Sequence, residues 1–346
     1  MIRILFFLLA VITGAAGAGS AWAEPVVLRV HHFLGEDSIP HKQVITPWAR
    51  RVEKQSGGRI RVEIYPDMQL GGRAPDLVTQ AKSGIIDIVW TAAAYTPGLF
   101  PRTEVFALPI VHRGDAAATN LAIRDMYEYE LEREYDGLHP LLIHVHQGHA
   151  LHMMKPVAAL GDLANKVIRP PGRRIGRWTV EALGAQITRK RHPKLAKALK
   201  AGKLDGALMS FHLAQGMGVL DVAKTHVLPG KGRFFGTSLY LFLMNKARYE
   251  ALEPALRDVI DRNSGAAFAR EVGKVYQEAG NVAMEAARAR GDQIITLDMK
   301  KFEAVRIAML EVLGNWAKDL EMRHIDGLQL IRKARKLVQR HSQPAK

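Results

Sequence analysis

The residue best placed for chemistry in this chain is Arg169, which directly follows the strand-like run Lys166-Val-Ile and directly precedes Pro170-Pro171-Gly172. In an open α/β sheet the carboxyl end of a strand faces a crevice. Two prolines then hold the following backbone rigid, so the guanidinium is oriented before anything binds. Its planar fork matches a carboxylate through two parallel charge-assisted hydrogen bonds. Arg173, four residues on at the start of the next predicted helix, is the candidate helper. The competing reading of Arg169 is a structural ion pair with an acid of the chain itself.

Histidines gather at His144, His146, His149 and His152. In a strand His144 and His146 share a face, which would suit a transition metal, but Ile143 to Met154 offers no Asp, Glu or Cys to complete a site. Polar lining of a cleft, with Gln147 among them, is the preferred reading, and no metal or cofactor is expected. No G-x-S-x-G elbow, Walker loop or G-x-G-x-x-G after a strand occurs. Ser210 with His212 is a poor start for a triad because no acid follows at suitable spacing. The apolar and polar candidates for walls of a cleft are His32, Phe33 and Trp90 in the first half, with Met209, Phe211, Phe234, Phe235 and Thr237 in the second.

The elements that must position these residues announce themselves through a repeated phrase. Gly84-Ile-Ile-Asp87 and Gly202-Lys-Leu-Asp205 each end an apolar-periodic helix at a glycine suited to the left-handed conformation, and each Asp opens a short apolar strand. Two copies imply two α/β lobes facing each other. The pattern predicts strands at 26–32, 59–65, 141–146, 151–154, 166–169 and 204–209, with helices at 40–55, 115–134, 173–183 and 194–201. Such alternation implies largely parallel sheets with helices outside. Phe234 to Asn245 is predicted as one long strand crossing between lobes, and Pro254 to Arg290 as one spine helix along both. Lobe I is expected to hold 24–149 plus about 236–275, and lobe II 150–235 plus about 276–346.

Residues Met1 to Ala23, with Arg3, the apolar run Ile4 to Ile12 and the ending Ala21-Trp22-Ala23, are predicted to be a secretory signal cleaved near Ala23. The expected location of the remainder is the periplasm. With no cysteine in the chain, neither a lipid anchor nor disulfides are available, so packing must supply stability. The formal charge is +15, but zinc-finger, RRM and KH patterns are missing and nucleic acid is not an expected partner.

Taken together, the residues resemble the solute-binding proteins of tripartite ATP-independent periplasmic (TRAP) transporters, the DctP type. The resemblance runs from about 26 to 330. It is carried by Tyr65-Pro66 with Gln69-Leu70-Gly71-Gly72, Gly84-Ile-Ile-Asp87, Thr96-Pro-Gly98, Phe100-Pro101 and Leu108-Pro109. In the second half it is carried by Lys166-Val-Ile-Arg169, Pro171-Gly172, Glu181-Ala-Leu-Gly-Ala185, Gly202-Lys-Leu-Asp205-Gly206 and Met244-Asn245-Lys246. The resemblance implies a two-lobed α/β binding protein, not an enzyme, that closes on an organic acid, with Arg169 clamping its carboxylate and membrane subunits of a transporter as partners. Contact with the membrane would then be through those subunits alone.

The chain departs from that pattern at Met209-Ser210-Phe211, where relatives carry Asn-Pro, at Lys194, where they carry an acid, and at Gln147-Gly148-His149, where several carry a second Arg. The stretch from Arg169 to Trp178 is also about one residue longer than in the pattern. These departures favour a monocarboxylate with an apolar or aromatic body. Two other classes stay open on the residues alone: an exported metal-binding protein using His144 to His152, and a secreted hydrolase.

Overall fold

In the computed structural model, described for residues 24–157, 159–188, 194–297 and 299–342, two sheets lie side by side with helices on their faces. The expected signal segment falls outside the described residues. The first half contains β1 (Val26–His32), α1 (Thr46–Gln55), β2 (Ile60–Tyr65), α2 (Leu77–Lys82), β3 (Ile88–Ala92), α3 (Ala116–Met126) and β4 (Leu138–Val145). The chain then crosses to β5 (Ala150–Met153), β6 (Val167–Arg169), α4 (Ile175–Ala182), β7 (Gln186–Ile187), α5 (Leu195–Lys200), β8 (Gly206–Met209), α6 (Phe211–Gly216), α7 (Val219–Val222) and β9 (Thr225–Leu228). It returns through β10 (Leu239–Asn245), α8 (Lys246–Glu250) and α9 (Pro254–Asn263), and passes along α10 (Ala266–Ala289) to β11 (Gln293–Thr296). It ends with α11 (Met299–Glu321) and α12 (Gly327–His341).

The strand orders are β2-β1-β3-β10-β4 and β11-β9-β5-β8-β6-β7. Read from the other end, the second sheet repeats the first, with β7-β6-β8-β5-β9 in the places of β2-β1-β3-β10-β4. The repeated phrase sits at the same point in both. Gly84 and Gly202 have φ of 77° and 66°, as the helix stop requires. Asp87 accepts from the backbone N–H of Arg29 at 2.8 Å, and Asp205 from that of Val167 at 2.8 Å. Each Asp thus ties the strand it opens to the neighbouring strand, which explains an acidic residue at the base of a buried sheet.

The sheets are not uniformly parallel. In each, one strand runs against the rest: β10 against β3 and β4, and β5 against β8 and β9. Both are the strands that enter from the other half. A strand arriving across the cleft starts at the end where its neighbours finish, so it has to run backwards. The long strand expected over 234–245 is also shorter. Gly236, with φ of 80°, approaches so closely that a Cβ would sit 2.6 Å from the Ala107 carbonyl oxygen, and regular pairing starts only at Leu239. The residues before it pair with the other crossing instead. His149 N–H donates to Gly236 O at 2.8 Å, and Phe235 N–H to His149 O at 2.9 Å.

The spine is likewise two helices. Ser264-Gly265 interrupts it, with Gly265 extended as the N-cap of α10. The 24 residues of α10 still span about 36 Å at 1.5 Å each, packing on α3 in one half and α6 in the other. Helix α12 folds back on α3, where Arg340 pairs with Asp125 at 2.9 Å.

Replacing Asp205 with Ala leaves the Val167 N–H without its acceptor, and we expect a loss of about 1–2 kcal/mol of unfolding free energy. Urea denaturation of Asp205→Ala measures it, and unchanged stability would contradict the tie between β8 and β6.

Candidate functional site

Arg169 ends β6 at the interlobe side, half-buried. Burial pulls its pKa downward, and the groups whose fields oppose that are the phenols Tyr95 and Tyr240. Among the described residues no carboxylate pairs with it. Its other neighbour is His149, whose Nε2 lies 3.0 Å from Ser238 Oγ. The structural ion pair weighed for Arg169 is therefore not what these residues form.

Around this guanidinium lies an aromatic wall built by the first sheet. Trp90 on β3 stacks on Tyr240 of β10 at 4.8 Å between centroids and on Phe33, just beyond β1, at 5.5 Å. Tyr95 meets Phe33 edge-on at 5.0 Å, and His144 of β4 stacks on Tyr240 at 5.3 Å. Of these rings, Phe33 and Trp90 were read from the sequence. Tyr95 and Tyr240 were missed: Tyr95 ends a one-turn 3-10 helix, Ala93–Tyr95, too short to show a periodic pattern, and Tyr240 sits inside an apolar run that looks like pure core.

Of the other expected residues, Arg173, Phe235 and Thr237 line a small pocket between the halves, and the rest lie elsewhere. Arg173 is exposed, while its neighbour Arg174 turns inward, bonding Asp319 of α11 at 2.8 and 3.1 Å and Glu104 of the first half at 3.1 Å. Burial raises the Glu104 pKa despite that partner. Gln147 is buried beside α10, donating to Asn281 at 2.6 Å, and its backbone carbonyl is 2.6 Å from His112 Nε2. Met209 and Phe211 sit in the second half's core, where Phe211 contacts His152 and His226 edge-on. Phe234 and Phe235 are buried in core as well, and Thr237 bonds the His146 carbonyl at 2.9 Å. His32 pairs with His41 at 3.0 Å.

The histidines form no metal centre among the described residues. They are buried neutral rings in hydrogen-bonded pairs, such as His152 Nδ1 with His226 Nδ1 at 2.9 Å. Desolvation lowers His144, His149 and His152 to about 3 and His112 and His212 to about 4. Ser210 Oγ lies 3.5 Å from His212 Nε2, but the other nitrogen of that ring has no partner, so a third triad member is missing.

A pocket of about 50 Å³ lies between Ala94, Pro171, Gly172, Arg173, His149 and Thr237, well below the roughly 300 Å³ of a small-molecule site, and neither Arg169 nor the rings of the wall line it. A wide groove of about 940 Å³ lies elsewhere, between α3, β4 and α12. On its walls Lys333 pairs with Glu130 and Arg340 with Asp125, while Arg124 donates to the Ser264 carbonyl at 3.3 Å.

Comparison with known proteins follows this geometry. Residues 30–319 match the family model of the bacterial extracellular solute-binding proteins, family 7, the DctP family. A TRAP solute-binding protein from a marine metagenome, specific for aromatic acids and holding 3-hydroxybenzoate, is 31% identical with a TM-score of 0.86, covering 93% of this chain and 100% of that one. A TRAP solute-binding protein of Rhodoferax ferrireducens, holding benzoate, is 33% identical with a TM-score of 0.84, covering 92% and 98%. The transporter protein TsaT of Comamonas testosteroni is 24% identical over 315 residues, 89% of this chain and 90% of that one. The chain belongs to the extracellular solute-binding family 7, and its two-lobed α/β fold is that of the TRAP solute-binding proteins. No described helix is long and apolar enough to cross a membrane.

The buried neutral histidines set a pH dependence. Unfolded, each takes a proton below about pH 6.5, while folded it does not until about pH 3–4, so the unfolded state binds more protons between these limits and stability falls as pH falls. Each such ring contributes about 1.4 kcal/mol per pH unit over that window. Urea unfolding should therefore give markedly lower stability at pH 5.0 than at 7.5. Equal values would mean the rings are not held neutral.

Proposed function

We propose that this protein captures an aromatic monocarboxylate between its lobes and delivers it to the membrane subunits of a TRAP-type transporter. The observation that carries the reading is Arg169: a desolvated guanidinium without a carboxylate partner among the described residues, beside the phenols of Tyr95 and Tyr240, which pack in turn on Phe33 and Trp90. A lone buried charge costs several kcal/mol, and a ligand carboxylate would offset it. The flat rings beside it suit an aromatic body. The relatives at 31% and 33% identity that hold 3-hydroxybenzoate and benzoate support the same class.

In this reading Arg169 is the clamp, and Phe33, Trp90, Tyr95 and Tyr240 form the wall. Arg174, held by Asp319 on its own side, joins Glu104 when the lobes close. By the family resemblance, Gln147-Gly148-His149 occupies the stretch that in several relatives carries a second Arg, and the Gln147 side chain is engaged with α10, which favours one carboxylate over two. Export to the periplasm is part of this reading, with residues 1–23 as the expected leader.

Arg169→Ala should weaken benzoate binding at least about thirtyfold, the loss expected when one partner of a buried charge pair is truncated, with an unchanged far-ultraviolet circular dichroism spectrum. Isothermal titration calorimetry measures it. Affinity retained within threefold in a folded variant would remove the clamp and the reading with it.

A further inference from the structure

Close to Tyr240, three rings each keep a buried polar atom without a partner among the described residues: Nδ1 of His144, Nδ1 of His212 and Oη of Tyr276. The rings are neighbours. Tyr276 on α10 is 5.0 Å from His144 and 5.4 Å from His212 between centroids, and it stacks 6.0 Å from Tyr240 at an interplanar angle of 15°. His144 comes from the first sheet, His212 from a helix of the second and Tyr276 from the spine, so all three meet only where the halves join.

One contact determines the role of His144. The Trp90 indole can only donate, so its 3.1 Å bond to His144 Nε2 makes that nitrogen the acceptor. The buried ring is neutral, so its proton sits on Nδ1, which lies beside the Val145 backbone but outside hydrogen-bonding geometry with it. The hydroxyl of Tyr276 both donates and accepts, and it too is unpartnered. Buried polar groups are rarely left this way, and three on adjoining rings call for one shared partner.

We propose that His144, His212 and Tyr276 form a polar subsite for a hydroxyl group on the ring of the bound acid, so that the preferred ligands are hydroxylated aromatic monocarboxylates. The inference rests on the aromatic-carboxylate reading above. A hydroxyl accepts from His144 Nδ1–H while donating to Tyr276 or His212; a bare ring edge leaves all of them desolvated. A second carboxylate does not suit the place, because no cation contributes to the surroundings of His144 or His212 and both rings are neutral. Arg169 and this subsite, both neighbours of Tyr240, would divide recognition of the acid from recognition of its substituent.

The test is calorimetric titration of the chain from Glu24 onward with benzoate and with 2-, 3- and 4-hydroxybenzoate. At least one hydroxybenzoate should bind about tenfold or more tightly than benzoate, since a site built to bond a hydroxyl rejects the analogue lacking it. Tyr276→Phe, which removes a single oxygen, should shrink that advantage to threefold or less. It should not weaken benzoate binding and should not lower the ligand-free melting temperature. A structural role for the hydroxyl would instead lower that temperature and weaken all four ligands alike, and would overturn the subsite. So would benzoate binding as tightly as every hydroxybenzoate, or an advantage that survives in both Tyr276→Phe and His212→Phe. Binding of benzoate without hydroxyl preference removes the subsite alone, while failure of all four acids removes the aromatic reading and the subsite together.

Discussion

A half-buried guanidinium with no carboxylate beside it among the described residues is an unstable arrangement, and much of this molecule can be understood as what keeps Arg169 there. The strand β6 ends at it, the prolines that follow prevent the chain from relaxing outward, and its neighbours Tyr95, Tyr240 and His149 carry no charge that would neutralise it. The only full compensation is an anion from outside. Because that anion would be bonded from one half and walled by the other, its binding energy is available only when the halves meet. Closure and recognition then become the same event.

The rest of the fold makes that meeting reproducible. Two sheets of matching strand order present their carboxyl ends to each other, and each receives one strand from its partner, running backwards because it enters from the cleft. The two crossings hydrogen-bond to one another through His149, Phe235 and Gly236, and α10 spans both halves. These are three continuous connections across a small hinge. At the mouth, Arg174 is fixed by Asp319 and reaches Glu104. Neutral histidines fill the interior of the hinge, where charged groups of the same size could not be buried without partners.

Much of this was legible in the amino-acid sequence. The doubled Gly-x-x-Asp phrase gave the two lobes because the left-handed glycine and the strand-tying Asp are local requirements that few other residues meet. Arg169 was legible for the same reason: a charged residue between an apolar strand and two prolines has few places to point. What could not be read were consequences of long-range geometry. The backward strands β5 and β10 look like any other apolar run. Met209 and Phe211 lie in a stretch buried on both faces, where alternation cannot say which side chain meets the cleft. Gln147 was taken for cleft lining because the crossing chain was visible but the helix packed against it was not. Tyr240 and Tyr276 were hidden among apolar neighbours, and only the unpartnered hydroxyl of Tyr276 separates it from ordinary core.

The central claim is that the ligand's carboxylate completes Arg169, and a crystal structure of the protein with benzoate tests it most directly. The account predicts both carboxylate oxygens within about 3 Å of the guanidinium nitrogens, with the ring against the wall formed by Phe33, Trp90 and Tyr240. A carboxylate held elsewhere, with Arg169 paired to a side chain of the protein or turned to solvent, would contradict it.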